Sequence, residues 1–173
     1  MEEKAKVFMI CGISGSGKTS LSKKMELFGI KRLSVDEELW PDFYVLSNLM
    51  SDEHREHLYS EAIDRIKARV ANFCAEGHPC SVDMPFCKKA QRDEFRAHIE
   101  KCGGKPVLLW VNTDLPVLKE RLKAREGKSG PNNLPVSEAE IEMYWKGFQR
   151  PFDEEHIEID GNGDFDVESL IKE

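Results

Sequence analysis

Lys18 and Thr19 close the run Gly12-Ile13-Ser14-Gly15-Ser16-Gly17-Lys18-Thr19, which fills the phosphate-loop pattern GxxxxGK(S/T) at every position. The pattern carries its own chemistry. Glycines let the backbone wrap closely around a phosphate with its N–H groups pointing inward, and a helix that starts at the loop adds the positive end of its dipole. Lys18 then reaches the outer phosphates as a mobile cation, and the hydroxyl of Thr19 completes the coordination of Mg²⁺. Gly12, Ser14, Gly15, Ser16, Gly17, Lys18, Thr19 and Ser20 are therefore the expected binding residues for a nucleoside triphosphate.

Three acids stand directly after predicted strands: Asp36, Asp83 and Asp160. In an open α/β sheet, ligands bind beyond the carboxyl ends of the strands, so these positions face the site. Asp36 fits the base that accepts the proton of an attacking hydroxyl, and Asp36-Glu37-Glu38 also suits the start of a helix. Asp83 fits a residue that positions Mg²⁺ or its waters, a contact to the acceptor, or a turn before Pro85. Arg121 and Arg125 lie four apart on a predicted helix just before the glycine-rich stretch 127–133. That spacing suits a lid that brings both guanidinium groups over a transferring phosphoryl group, with a solvated helix face as the competing reading.

The elements that must position these groups alternate along the chain. The apolar Val7–Cys11 leads into the loop as a buried strand, and a helix follows over 20–28. Further strands are predicted at 31–35, 80–82, 106–111 and 156–159. Helices are predicted at 60–75, 88–101, 115–125 and 137–148, the last opened by a Ser-Glu-Ala-Glu capping box, with a C-terminal helical tail. Trp145 and Phe148, with Met143 and Tyr144, read best as core on the late helix. Such alternation implies a parallel sheet covered by helices on both faces. At 173 residues the chain is expected to form a single domain over 1–173, with a helical lid around 115–136.

A net charge of −7 disfavours nucleic acid as a partner and favours a small acceptor. The N-terminal residues lack a signal pattern and no apolar run reaches membrane-spanning length, so a cytoplasmic protein without a membrane is expected. Five cysteines without CxxC spacing read as reduced thiols. His54 and His57, three apart in a charged stretch, read as a solvated helix face before a zinc pair.

The phosphate loop, the acids after strands two and three, the Arg121-Leu122-x-x-Arg125 pattern and the terminal Ile157-Glu158-Ile159-Asp160 strand together resemble the small P-loop kinases of the AAA-33 type. That group includes the kinase domain of polynucleotide 5′-hydroxyl kinases, chloramphenicol phosphotransferase and zeta-toxin-like kinases. The resemblance implies an α/β three-layer P-loop NTPase fold and transfer of the γ-phosphoryl group of ATP, with Mg²⁺, to a hydroxyl. It implies Lys18 and Thr19 at the phosphates, Asp36 as general base and Arg121 and Arg125 on the transition state. Base recognition then falls to the lid helix, Arg121 included, and to the turn containing Asn162.

The polynucleotide branch typically carries an arginine three residues after its catalytic acid, where this chain has Leu39. The stretch 39–44 instead offers aromatic surface that suits either a ring-bearing acceptor or the core. The expected activity is thus a kinase for a small-molecule acceptor, be it a metabolite, nucleoside, sugar or antibiotic. A polynucleotide 5′-hydroxyl kinase and a slowly hydrolysing ATP-binding regulatory module are the alternatives.

Overall fold

The computed structural model describes residues 4–46 and 51–172. Five strands, β1 (Lys6–Cys11), β2 (Lys31–Ser34), β3 (Cys80–Asp83), β4 (Lys105–Asn112) and β5 (Ile157–Asp160), form one sheet in the order β2-β3-β1-β4-β5. Every neighbouring pair is parallel. The central strand β1 is apolar from Val7 to Cys11 because both of its faces are covered. Phe8 and Ile10 pack with Leu21, Met25, Ile159 and Val167 on one side, whereas Val7, Met9 and Cys11 pack with Ala62, Ile66, Phe95 and Leu118 on the other. Successive side chains of a strand point to opposite faces, so one run of five residues supplies both cores.

The first face carries α1 (Lys18–Glu26) and α7 (Val167–Lys172). The second carries α2 (Val35–Leu46), α3 (Asp52–Ala75), α4 (Lys89–Lys101), α5 (Leu115–Lys123) and α6 (Glu138–Gly147). The result is the three-layer α/β arrangement expected from the alternation. The capping box at the start of α6 is present: Glu140 N donates to Ser137 Oγ at 3.2 Å, and Ser137 N donates to Glu140 Oε2 at 2.7 Å. All five cysteines are free thiols. Among the described residues, no helix is long and apolar enough to cross a membrane.

Three elements differ from expectation. Helix α3 begins at Asp52 rather than residue 60, because Ser51 caps it by accepting from His54 N at 3.2 Å. Its first turns lack an apolar stripe and are supported by pairs such as Arg55–Asp52 at 3.7 Å and His57–Glu61 at 3.4 Å, so periodicity misses them. The stretch 39–44 belongs to α2; the side chains of residues 41–44 lie outside those described. Ile141 on α6 and Phe148 just after it enter the core and Trp145 packs against it under the Arg150 guanidinium, but Met143 and Tyr144 do not, being 60% and 40% exposed. The helical period turns those two residues away from the sheet.

Candidate active site

The phosphate loop joins β1 to α1, and its turns use glycine where other residues are strained: Gly15 has φ 85° and Gly17 φ 110°. Gly17 is the residue before α1, so the loop ends at the positive pole of that helix. Gly12 N donates to Pro85 O at 3.2 Å, which ties the loop to the segment after β3. That segment is held from below by fully buried Arg92, which donates to Phe86 O at 2.8 Å and to both carboxylate oxygens of Glu154. Lys18 Nζ lies 3.2 Å from Ile13 O, across the loop.

Asp83, at the end of β3, accepts from Thr19 Oγ1 at 2.8 Å and from Ser22 Oγ at 3.4 Å. A hydroxyl and a carboxylate in contact at the head of α1 form an all-oxygen set of the kind Mg²⁺ accepts, to be completed by phosphate oxygens and water. Among the described residues no cluster of three or more His, Cys, Asp or Glu could hold a metal. Thr19 and Asp83 are two oxygen donors that could take part in holding such an ion, and His54 and His57 belong to no such cluster.

A cavity of about 260 Å³ lies over the loop. Lys18, Thr19, Asp36, Asp83 and Arg125 all line it, together with Asn132 and Tyr144. Asp36 sits in the first turn of α2, and burial raises its pKa to about 6, against the pull of Lys18 and with added repulsion from Asp83 and Glu37. Near neutral pH it is a carboxylate of enhanced basicity, as general-base work requires. Burial, helped by the like charge of Arg121, holds the Arg125 pKa below its ordinary value.

The two arginines take different places. Arg121 is tied to the backbone, donating to Gly15 O and Ser16 O at 3.2 Å each and to Gly161 O at 2.6 Å. It thereby clamps the phosphate loop to the turn after β5. Asn162 in that turn accepts from Asp114 N at 3.1 Å and lies beside an open cleft with Asn112, Glu158 and Asp160, outside the lining of the cavity over the loop. Arg125 faces the cavity and donates to Asn132 O at 3.4 Å.

Sequence reasoning missed Arg32. Its side chain is only 7% exposed, forms a two-bond pair with Glu37 at 2.8 Å each, donates to Ser22 Oγ at 2.8 Å and approaches Asp83 at 3.8 Å. Glu37 in turn accepts from Asn132 Nδ2 at 3.1 Å, and its hydrogen bonds to Arg32 hold its pKa low. One polar chain thus runs from Asn132 through Glu37 and Arg32 to the Asp83–Thr19 pair. A charged side chain on a short edge strand, followed five residues later by an acid, was the available signal.

Comparison with solved structures places this architecture. A kinase candidate from Chloroflexus aurantiacus J-10-fl superposes with TM-score 0.77 at 17% identity, covering 98% of this chain and 96% of that one. An APS kinase from Mycobacterium tuberculosis, solved with AMPPNP and APS, gives 0.64 at 20% identity over 98% and 96%. A sugar kinase from Janibacter sp. HTCC2649 gives 0.66 at 19% identity over 98% and 91%. These likenesses are of fold. No curated protein sequence matches this chain. The AAA_33 family model, described as an AAA domain, matches residues 7–151, which include the phosphate loop, Asp36, Asp83 and both arginines, and the chain belongs to that family.

Proposed function

We propose that the protein is an ATP-dependent kinase that transfers the γ-phosphoryl group to a hydroxyl of a small-molecule acceptor. The observation that carries this reading is the meeting, in one cavity, of a phosphate-loop lysine with a basic carboxylate: Lys18 and Asp36 both line it, with Arg125 beside them. In this reading the loop N–H groups and Lys18 bind the phosphates, and the Arg121 clamp keeps the loop against the turn that would border the base. Asp36 takes the proton from the acceptor hydroxyl as its oxygen bonds to the γ-phosphorus, while the bond from that phosphorus to the β–γ bridging oxygen breaks and ADP leaves. Arg125, on a lid formed by residues 115–136, offsets charge on the transferred group. Thr19 and Asp83 would hold Mg²⁺, whose chemistry there is to neutralise the phosphate oxygens.

The solved relatives lend support on the fold side, since an APS kinase and a sugar kinase share the architecture. The acidic total charge and Leu39 speak for a small acceptor rather than a polynucleotide. The decisive experiment measures ADP formation from Mg-ATP against nucleosides, oligonucleotide 5′-hydroxyls, sugars and aminoglycoside or phenicol antibiotics, with Lys18→Ala as blank. Acceleration by one small-molecule class is expected. Acceleration by oligonucleotides alone would reassign the acceptor, and slow turnover indifferent to every alcohol would replace the kinase by an ATP-dependent regulatory module.

A further inference from the structure

We infer that the cavity between α2, α3 and α4 is the acceptor pocket and selects an uncharged or cationic alcohol with an apolar body, discriminating against phosphorylated and other anionic acceptors. The inference rests on the kinase reading above and adds to it the chemical class of the acceptor.

Position comes first. The cavity, about 590 Å³, is of the size that holds small organic ligands. It flanks the catalytic carboxylates: Leu39, in its lining, lies one turn along α2 from Asp36, and Met84 directly follows Asp83. Tyr59, also in the lining, is close enough to Asp36 that the carboxylate, after burial, helps raise the phenol to a pKa of about 12. Its hydroxyl therefore keeps its proton and stays a hydrogen-bond donor.

The lining chemistry sets the class. Leu39, Tyr59, Ile63, Met84 and Phe95 give a wall of aliphatic and aromatic surface. Lys67 and Arg55 are the basic residues of the lining, set against Glu56, Asp64 and Glu94. Both are already engaged, Lys67 with Glu94 at 2.6 Å and Arg55 with Asp52 at 3.7 Å. The next cations along α3, Arg65 and Arg69, turn to Glu38 at 3.3 and 2.6 Å. Residues 41–50, whose side chains are not described, include no lysine, arginine or histidine in the sequence. A phosphate or carboxylate on the acceptor would thus meet an acidic rim whose cations are paired, whereas an apolar ring would lie on the wall and a protonated amine would find carboxylates.

The test compares probes that keep a reactive hydroxyl and differ in charge: thymidine against thymidine 3′-monophosphate, glucose against gluconate, and kanamycin as a polycation. Each is assayed for ADP formation with wild type and with Glu56→Lys/Asp64→Lys, both rim positions being exposed. ATP affinity by direct titration serves as the control for folding. Neutral or cationic probes are expected to exceed their anionic partners by at least ~10-fold in kcat/KM, and the charge-reversed rim to narrow that ratio by at least ~5-fold. An anionic probe used as well as its neutral partner overturns the inference and leaves the kinase reading standing. A preference that survives the rim reversal unchanged overturns the assignment of this pocket. ADP formation indifferent to all probes removes the kinase reading, and this inference falls with it.

Discussion

The phosphate loop and the pocket between α2, α3 and α4 lie on either side of Asp36 and are built by opposite means. The loop is eight contiguous residues, in the proposed reading working through backbone N–H donors, and side-chain and carbonyl oxygens crowd the glycines in and beside it. A methyl group added to Gly161 would collide with Thr113 Oγ1 and meet Ser16 O at 2.7 Å. One added to Gly12 would meet Ser16 Oγ at 2.6 Å and Val111 O at 2.9 Å. The pocket is formed instead by side chains drawn from three helices and the segment after β3, several of them half-exposed. Backbone-built sites bind what every member of a fold must bind and leave no room for substitution. Side-chain-built sites can change occupant without disturbing the fold.

The sharpest way to break this contrast is at the carboxylate between the two regions. Asp36→Asn is expected to lower kcat by roughly 10²- to 10⁴-fold while ATP affinity, read by titration, stays within about twofold. A loss below tenfold would remove Asp36 as the base. Next in size, Gly161→Ala should cost about 3 kcal/mol in urea unfolding, because buried backbone and Thr113 must shift to admit the methyl group. If it costs no more than a pocket substitution, the two regions do not differ in tolerance.

Asp36 itself supplies the third prediction. Its pKa is raised from an ordinary 3.8 to about 6, so the folded state holds its proton over a pH range in which the unfolded chain has released it. A raised carboxylate therefore costs stability above pH 6, progressively less as pH falls from 6 to 4, and nothing below. Asp36→Asn should stabilise the protein by about 3 kcal/mol at pH 8 and far less at pH 4, as unfolding curves at the two pH values would record. Over the same window kcat/KM for the acceptor should rise through pH about 6 and then level off, because only the carboxylate accepts the proton. The smallest effect is expected at Ile63→Val in the pocket wall, about 0.5–1 kcal/mol in stability, with the change in activity confined to the acceptor KM.

Legibility in the sequence followed the distance between cooperating groups. The loop, Asp36 and Asp83 were readable because each is defined by a few residues at a strand end. Arg121 and Arg125 show where local reading stops. Four residues apart, they share a face only while the helix lasts, but α5 ends at Lys123, so Arg125 lies beyond it and turns to the cavity while Arg121 reaches the loop carbonyls. Nothing in the local pattern of Lys31 and Arg32 on a four-residue strand marks Arg32 as buried. It is buried because Ser22 of α1 and Glu37 of α2 close over it.

Spacing along the chain was enough to establish the phosphate loop, the parallel α/β sheet and the carboxyl-end acids, because these depend on backbone conformation and on apolar periodicity within one strand or helix at a time. Which cations stay available, where each arginine points and what lines the pocket beside Asp36 were decided only when α2, α3, α4 and the segment after α5 came together. Those properties depend on charge pairing and burial between residues such as Lys67 and Glu94 or Asn132 and Glu37, whose separations in sequence carry no periodic signal.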